Sequence, residues 1–272
     1  MMKLALLALT SLLFLGSGPA WHPLPPPAYH IPRYAPTAFS IVDARGVQQT
    51  QYEWGKEYNP TQITGRAIAD YAKKDFLSFM RQVRWLEANV KYHGDAAVWE
   101  YTFPYPPYNM TVPWISAISQ GNALVVLTEA YGWTGNERFR TLAADALKAF
   151  TLPVSEGGVA WPSGWYEEYA RPGGPSTRIL NGHLFAVEGL QWYYEQTGNL
   201  TAKRLYEKGL AVAKAALPRY DRGDCVAYDR TGKASPGPYG GVVVRQLWHF
   251  FEATGDYELY DYGVRWQKGC PR

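Results

Sequence analysis

Three apolar runs in this chain end in the same punctuation: Tyr131-Gly132-Trp133-Thr134-Gly135-Asn136, Tyr194-Glu195-Gln196-Thr197-Gly198-Asn199 and Phe251-Glu252-Ala253-Thr254-Gly255-Asp256. Glycine suits the left-handed residue that closes a helix. Asn or Asp directly after it is a favoured N-cap for the next one. Each site therefore predicts two antiparallel helices joined by a tight turn. The threonines lie 63 and 57 residues apart (197 − 134 and 254 − 197), room for one helix pair and one long connection. Predicted pairs run over 114–132 and 136–150, 177–197 and 199–216, and 240–254 and 256–268. A fourth pair, 60–73 and 75–90, follows the same apolar periodicity across Lys73-Lys74-Asp75. Four αα-hairpins predict a mainly α fold, an α/α barrel or toroid of eight helices. An open array of the same hairpins satisfies the pattern too.

If every tight turn lies at one end, the connections between hairpins all lie at the other. They are long, 91–113, 151–176 and 217–239, and long loops on a rigid scaffold tend to carry function. The first holds Trp99, Glu100, Tyr101, Phe103, Tyr105 and Tyr108. The second holds Trp161, Trp165, Tyr166, Glu167, Glu168 and Tyr169. The third holds Tyr220, Asp221, Asp224, Tyr228, Asp229 and Tyr239. Acids and aromatics thus gather on one rim, as in a carbohydrate site. Cys225 and Cys270 fall at that same end; a disulfide is the favoured reading, two free thiols the other.

Lys3, the apolar run Leu4–Leu15 and the small residues Gly18-Pro19-Ala20 read as a signal peptide over 1–20. Export, periplasmic or secreted, is the expectation, with no membrane span left after cleavage. Residues 21–58 are a Pro-rich lead-in with a hairpin pattern over 37–58, and 59–272 form the helical domain. A net charge of +3, from 27 basic and 24 acidic residues, with no Lys/Arg tract, argues against a nucleic-acid partner. The sequence leaves room for a homodimer.

The chain has no phosphate-binding Gly-rich loop, no Cys/His metal spacing and no Gly-x-Ser-x-Gly elbow. His183 and His249 read as packing or capping residues. No metal or cofactor is called for. Carboxylates in pairs suggest glycoside hydrolysis. A carboxylate with tyrosines suggests proton transfer at C5 of a uronate, which ends in an epimer, or in a lyase product if the C4 substituent leaves. A non-catalytic polysaccharide-binding protein keeps the same rim.

From Trp54 to Trp266 the sequence resembles the C-terminal helical domain of the D-glucuronyl C5-epimerases, which act on heparosan-type polysaccharides in heparan sulfate and heparin biosynthesis. The segments that carry it are Pro113-Trp114…Gln120-Gly121, Trp165-Tyr166-Glu167-Glu168-Tyr169, Ile179-Leu180-Asn181-Gly182-His183, Leu217-Pro218-Arg219-Tyr220-Asp221 and Ala227-Tyr228-Asp229. The resemblance implies an α/α helical domain and a uronic-acid polysaccharide as partner. It implies Glu168 and Tyr239 as opposed proton-transfer groups, with Tyr169 and Tyr228 hydrogen-bonding the carboxylate or enolate. Substrate-binding residues expected beside them are Trp114, Trp165, Arg171, Arg178, Asn181, Tyr105 and Arg230. Arg230 directly follows Tyr228-Asp229, one position earlier than the family's Tyr-Asp-x-Arg pattern. Gly240-Gly241-Val242-Val243 replaces the polar, histidine-containing segment of animal members.

Overall fold

A computed structural model describes residues 41–233 and 238–270; the expected signal peptide, and the lead-in up to residue 40, lie outside these. Eight α-helices form four antiparallel pairs: α1 (Pro60–Ala72) with α2 (Phe76–Asn89), α3 (Ala117–Thr134) with α4 (Glu137–Lys148), α5 (Leu180–Thr197) with α6 (Leu200–Tyr220), and α7 (Tyr239–Thr254) with α8 (Tyr257–Trp266). The mainly α, hairpin-built architecture predicted from the repeat is the one observed.

The repeated tripeptide works as its chemistry suggests. Gly135, Gly198 and Gly255 adopt φ of 65°, 68° and 70°, where a side chain would be strained. Asn136, Asn199 and Asp256 cap the following helix through their side-chain oxygens. Each threonine hydroxyl donates to the carbonyl four residues back, those of Ala130, Tyr193 and Phe250. The same oxygen accepts the cap residue's backbone N–H at 3.2–3.3 Å. The glycine N–H donates to the carbonyl of Tyr131, Tyr194 or Phe251, so end groups of both helices are paired within three residues.

The odd-numbered helices pack on one another in chain order, α1 on α3, α3 on α5 and α5 on α7. Nothing comparable joins α7 back to α1 among the described residues, so the inner row is an arc of the toroid. Helices α3 and α5 are buried along nearly their whole length, whereas α4 and α6 bury one side. None of the described helices is long and apolar enough to cross a membrane.

At the N-terminal side the expected hairpin resolves into two features. A Val42–Gln48 bridge closes the turn at Asp43–Gly46, and β1 (Thr50–Tyr52) pairs with β2 (Gly55–Glu57). A second antiparallel pair, β3 (Lys91–His93) with β4 (Ala96–Val98), opens the first long connection, where no strand was foreseen. Cys225 and Cys270 form a disulfide with Cα atoms 4.8 Å apart. A Cβ on Gly240 would meet its sulfurs at 2.5 and 3.1 Å, so the bridge lies directly on the first turn of α7.

The α3–α5 crossing is a backbone contact. A Cβ on Gly189 would lie 2.4 Å from the Gly121 carbonyl oxygen, and one on Gly121 would lie 2.9 Å from that of Phe185. Neither neighbour is a side chain that could swing away. Gly189→Ala should therefore destabilise the protein by roughly 2–3 kcal/mol, despite alanine's better helix propensity. Urea unfolding should show a lowered midpoint at unchanged m. A midpoint equal to or above wild type would show that the crossing is looser than described.

Candidate active site

The second long connection lies across the start of α3. Ile115 and Ala170 exchange both backbone hydrogen bonds at 2.9 Å, and Ala117 N–H donates to the Glu167 carbonyl at 3.0 Å. Residues 167–170 are thus pinned at both ends, and the chain bends at Glu168 and Tyr169 between these bonds. The two glutamates on this bent segment face different surroundings.

Glu167 faces a fully satisfied niche. Its carboxylate accepts from Trp161 Nε1 at 2.8 Å, Thr177 Oγ1 at 2.5 Å and the Arg178 backbone N–H at 3.1 Å. Glu168 faces the aromatic rim instead. It takes a hydrogen bond from Tyr169, but its Oε2 is buried without a partner. A Cβ on Gly182 would lie 2.1 Å from that oxygen, which explains the glycine in Asn181-Gly182: the first turn of α5 has to let the carboxyl group rest against bare backbone. Burial, opposed in part by the Tyr169 bond, pushes the Glu168 carboxyl up to about 8.

Around it stands an aromatic cluster drawn from all three connections. Tyr169 is sandwiched between Tyr105 (ring centroids 5.0 Å) and Tyr108 (4.8 Å) and rests on Trp114 at 5.5 Å. Tyr228 lies 5.5 Å from Tyr239. Burial first, and the nearby Glu168 charge second, raise the hydroxyls of Tyr169, Tyr228 and Tyr239, the last to about 12 in all. These phenols are therefore protonated donors. Asn181, on the first turn of α5, is 1% exposed, and both polar atoms of its side chain lack partners. An unpartnered carboxyl oxygen and an unpartnered amide thus lie close together, on either side of Gly182.

The four residues expected to carry chemistry, Glu168, Tyr169, Tyr228 and Tyr239, thus come together, with Tyr105, Trp114 and Asn181 around them. Two other expectations need correcting. Trp165 is 2% exposed, stacked on His183 at 4.2 Å and on Tyr220 at 6.1 Å, so it supports the loop from within the core and cannot face a sugar. Arg178 lies over Trp161 and Trp165 and donates to Ser176 and Ser163, beside Glu167. Arg230 is exposed on the third connection. Arg171, next to Ala170, keeps a buried Nε without a partner, and is the one of the three arginines with an unmet donor of that kind.

Tyr108 and Asp229 were not among the expected site residues. Tyr108 donates to Asp229 Oδ2 at 2.9 Å, which ties the first connection to the third across the face of Tyr169. Asp229 is held in turn by the Thr231 hydroxyl and backbone N–H. The chain bends at both Tyr228 and Asp229; Tyr228 joins the cluster, and Asp229 fixes the loop.

Residues 93–268 match the sequence profile of the D-glucuronyl C5-epimerase C-terminus. The chain is 34% identical over 178 residues to an uncharacterized protein of Methanocaldococcus jannaschii, covering 63% of this chain and 57% of that protein. It is 36% identical over 131 residues to the D-glucuronyl C5-epimerase of Caenorhabditis elegans, covering 43% of this chain and 21% of that enzyme. The matched part is thus well under two thirds of either relative. The fold is similar to that of cellobiose 2-epimerase from Bacillus thermoamylovorans, with a TM-score of 0.55 over 76% of this chain and 56% of that one. At 10% identity this is a likeness of fold alone.

The raised Glu168 pKa has a consequence for stability. Between the ordinary value of 4.5 and about 8, the folded protein keeps a proton that the unfolded chain releases. Stability contributed by this group is therefore present below pH 4.5 and is lost as pH rises towards 8. Glu168→Gln removes the effect. Its stability relative to wild type should climb across that window, reaching a few kcal/mol by pH 8. Urea melts of both proteins at pH 5, 6.5 and 8 test this. A gap that stays flat or shrinks with pH would mean that Glu168 is already ionised in the native state.

Proposed function

The chain belongs to the D-glucuronyl C5-epimerase family, and on that premise we propose that it is a uronosyl C5-epimerase acting on a heparosan-like uronic-acid polysaccharide. The observation that carries the reading is the convergence of a buried, under-bonded Glu168 with the hydroxyls of Tyr169, Tyr228 and Tyr239 in one aromatic cluster. The Cys225–Cys270 disulfide supports export to an oxidising compartment.

The reaction needs a base on one face of the sugar, an acid on the other, and donors for the charge between them. Ionised Glu168 removes the C5 proton, and the C5–H electron pair moves into a C5–C6 double bond as the carboxylate becomes an enediolate. Tyr169 and Tyr228, protonated by their surroundings, donate to the oxygens that take up the charge. Tyr239 then gives its proton to C5 from the opposite face. It regains one from solvent, and Glu168 releases the one that it took. The C4–O bond stays intact throughout. Loss of that bond would make the enzyme a lyase, and cleavage at the anomeric carbon a hydrolase.

Incubation with N-acetylheparosan in D₂O, read by NMR, separates these outcomes. The expected result is deuterium at C5 of recovered uronate, with inverted configuration in part of it, no unsaturated product and no new reducing ends. Glu168→Gln and Tyr239→Phe should each lower exchange at least about a hundredfold. For the wild type, kcat/KM should rise with pH and level off near pH 8, as the carboxyl that must act as base loses its proton. Exchange that persists unchanged in both variants would overturn the assignment. A rate that falls across pH 6–8 would exclude Glu168 as the base.

A further inference from the structure

The β1–β2 hairpin carries a residue that the reaction leaves unused. Tyr52 pairs with Gly55, so Glu53 and Trp54 alone form the turn. Such turns ordinarily take Gly, Asn or Asp. Here the tip presents a tryptophan with 46% of its surface exposed, the only exposed tryptophan among the described residues.

This ring is held in place. It lies flat on Tyr52, with centroids 4.8 Å apart and planes within 5°. Tyr52 is fixed by a 2.7 Å hydrogen bond from Asn59 Nδ2 to its hydroxyl, and Asn59 is also the N-cap of α1. Tyr52 in turn packs on Phe103 at 5.0 Å and borders the aromatic cluster of the site, near enough to Tyr239 to influence its titration. Trp54 therefore stands one ring outward from the cluster, with one face covered by Tyr52 and exposed surface left on the remainder.

We infer that Trp54 is a sugar platform, stacking the apolar C–H face of a pyranose that lies beyond the immediate neighbours of the uronate held at Glu168; the inference rests on the polysaccharide reading above. Amphipathic aromatic rings suit such faces. The charge of the hairpin bears on which sugar. Glu53 is adjacent in sequence, Glu57 lies close enough to affect Tyr52, and Lys56 stands between them in the chain. Two acids against one base disfavour a uronate there and favour a neutral residue, the amino-sugar partner in an alternating polymer.

The test titrates the full chain, as wild type, Trp54→Ala and Trp54→Phe, with N-acetylheparosan oligosaccharides from trisaccharide to decasaccharide. Calorimetry reads affinity and D₂O exchange reads turnover. Trp54→Ala should weaken binding of the longer oligosaccharides about three- to tenfold while trisaccharide affinity and exchange at saturation stay unchanged, so KM moves and kcat does not. Trp54→Phe should recover part of the loss. Equal affinities of wild type and Trp54→Ala at every length would overturn the inference. So would an equal loss for short and long ligands, which would mark Trp54 as a prop for the hairpin. Failure of the epimerase reading looks different: no exchange in any variant, with the length-dependent binding intact. Absence of wild-type binding at every length would remove the platform together with the polysaccharide reading.

Discussion

The contact of α3 with α5 at Gly121 and Gly189 sets the geometry on which the rest depends. Both helices bring their N-terminal ends to the rim. Helix α3 begins just after Trp114 and Ile115, and α5 begins with Leu180-Asn181-Gly182. Because the helices touch backbone to backbone, their first turns lie close enough for one short segment to serve both. That segment, residues 167–170, bonds to Ile115 and Ala117 on the α3 side and lays Glu168 on Gly182 on the α5 side. A methyl group at either crossing glycine would meet backbone atoms of the other helix. The geometry at the rim is therefore coupled to a packing detail just over one turn into α3 and midway along α5.

Two adjacent glutamates show how strongly local surroundings divide equal side chains. Glu167 and Glu168 are both buried. Glu167 has four donors around its carboxylate and serves to hold the loop to Ser176, Thr177 and Arg178. Glu168 has Tyr169 and an oxygen with no partner. Burying a carboxyl group with so little compensation favours its neutral form. The same feature makes Glu168 a stronger base once ionised, at a cost in stability that grows with pH.

The helical frame was legible because its signals are local. Thr-Gly-Asn and Thr-Gly-Asp each satisfy a helix end within three residues, so the turn places can be read without knowing what packs where. The rim position of the three connections followed from them by topology, and so did the proximity of Cys225 to Cys270. What sequence reading missed lies in the direction of side chains on those connections. Trp165 and Arg178 share the aromatic and cationic character of site residues, yet the loop before Tyr166 and the left-handed backbone at Arg178 (φ 52°) turn them to the core and to Glu167. Tyr108 belongs to a 3₁₀ turn at Pro106–Tyr108, and its partner Asp229 is 121 residues away. Only the fold brings such a pair together.

The donors around Glu168 bear on how a uronate would be held in the proposed reaction. A guanidinium fork binds a carboxylate tightly before any proton moves, and such binding lowers KM without accelerating the chemical step. Phenol hydroxyls are weaker ligands for a carboxylate and better matched to an enediolate, whose oxygens are far more basic. Their hydrogen bonds strengthen as the C5 proton leaves, which is the differential interaction that raises kcat. Arg178 and Arg230 are not engaged with the cluster, and this arrangement does not require them there. The tyrosines are kept as donors by burial first and by the nearby Glu168 charge second, both of which raise the pKa of Tyr169, Tyr228 and Tyr239. In the proposed reaction the carboxylate would thus act as base among neighbours that remain protonated.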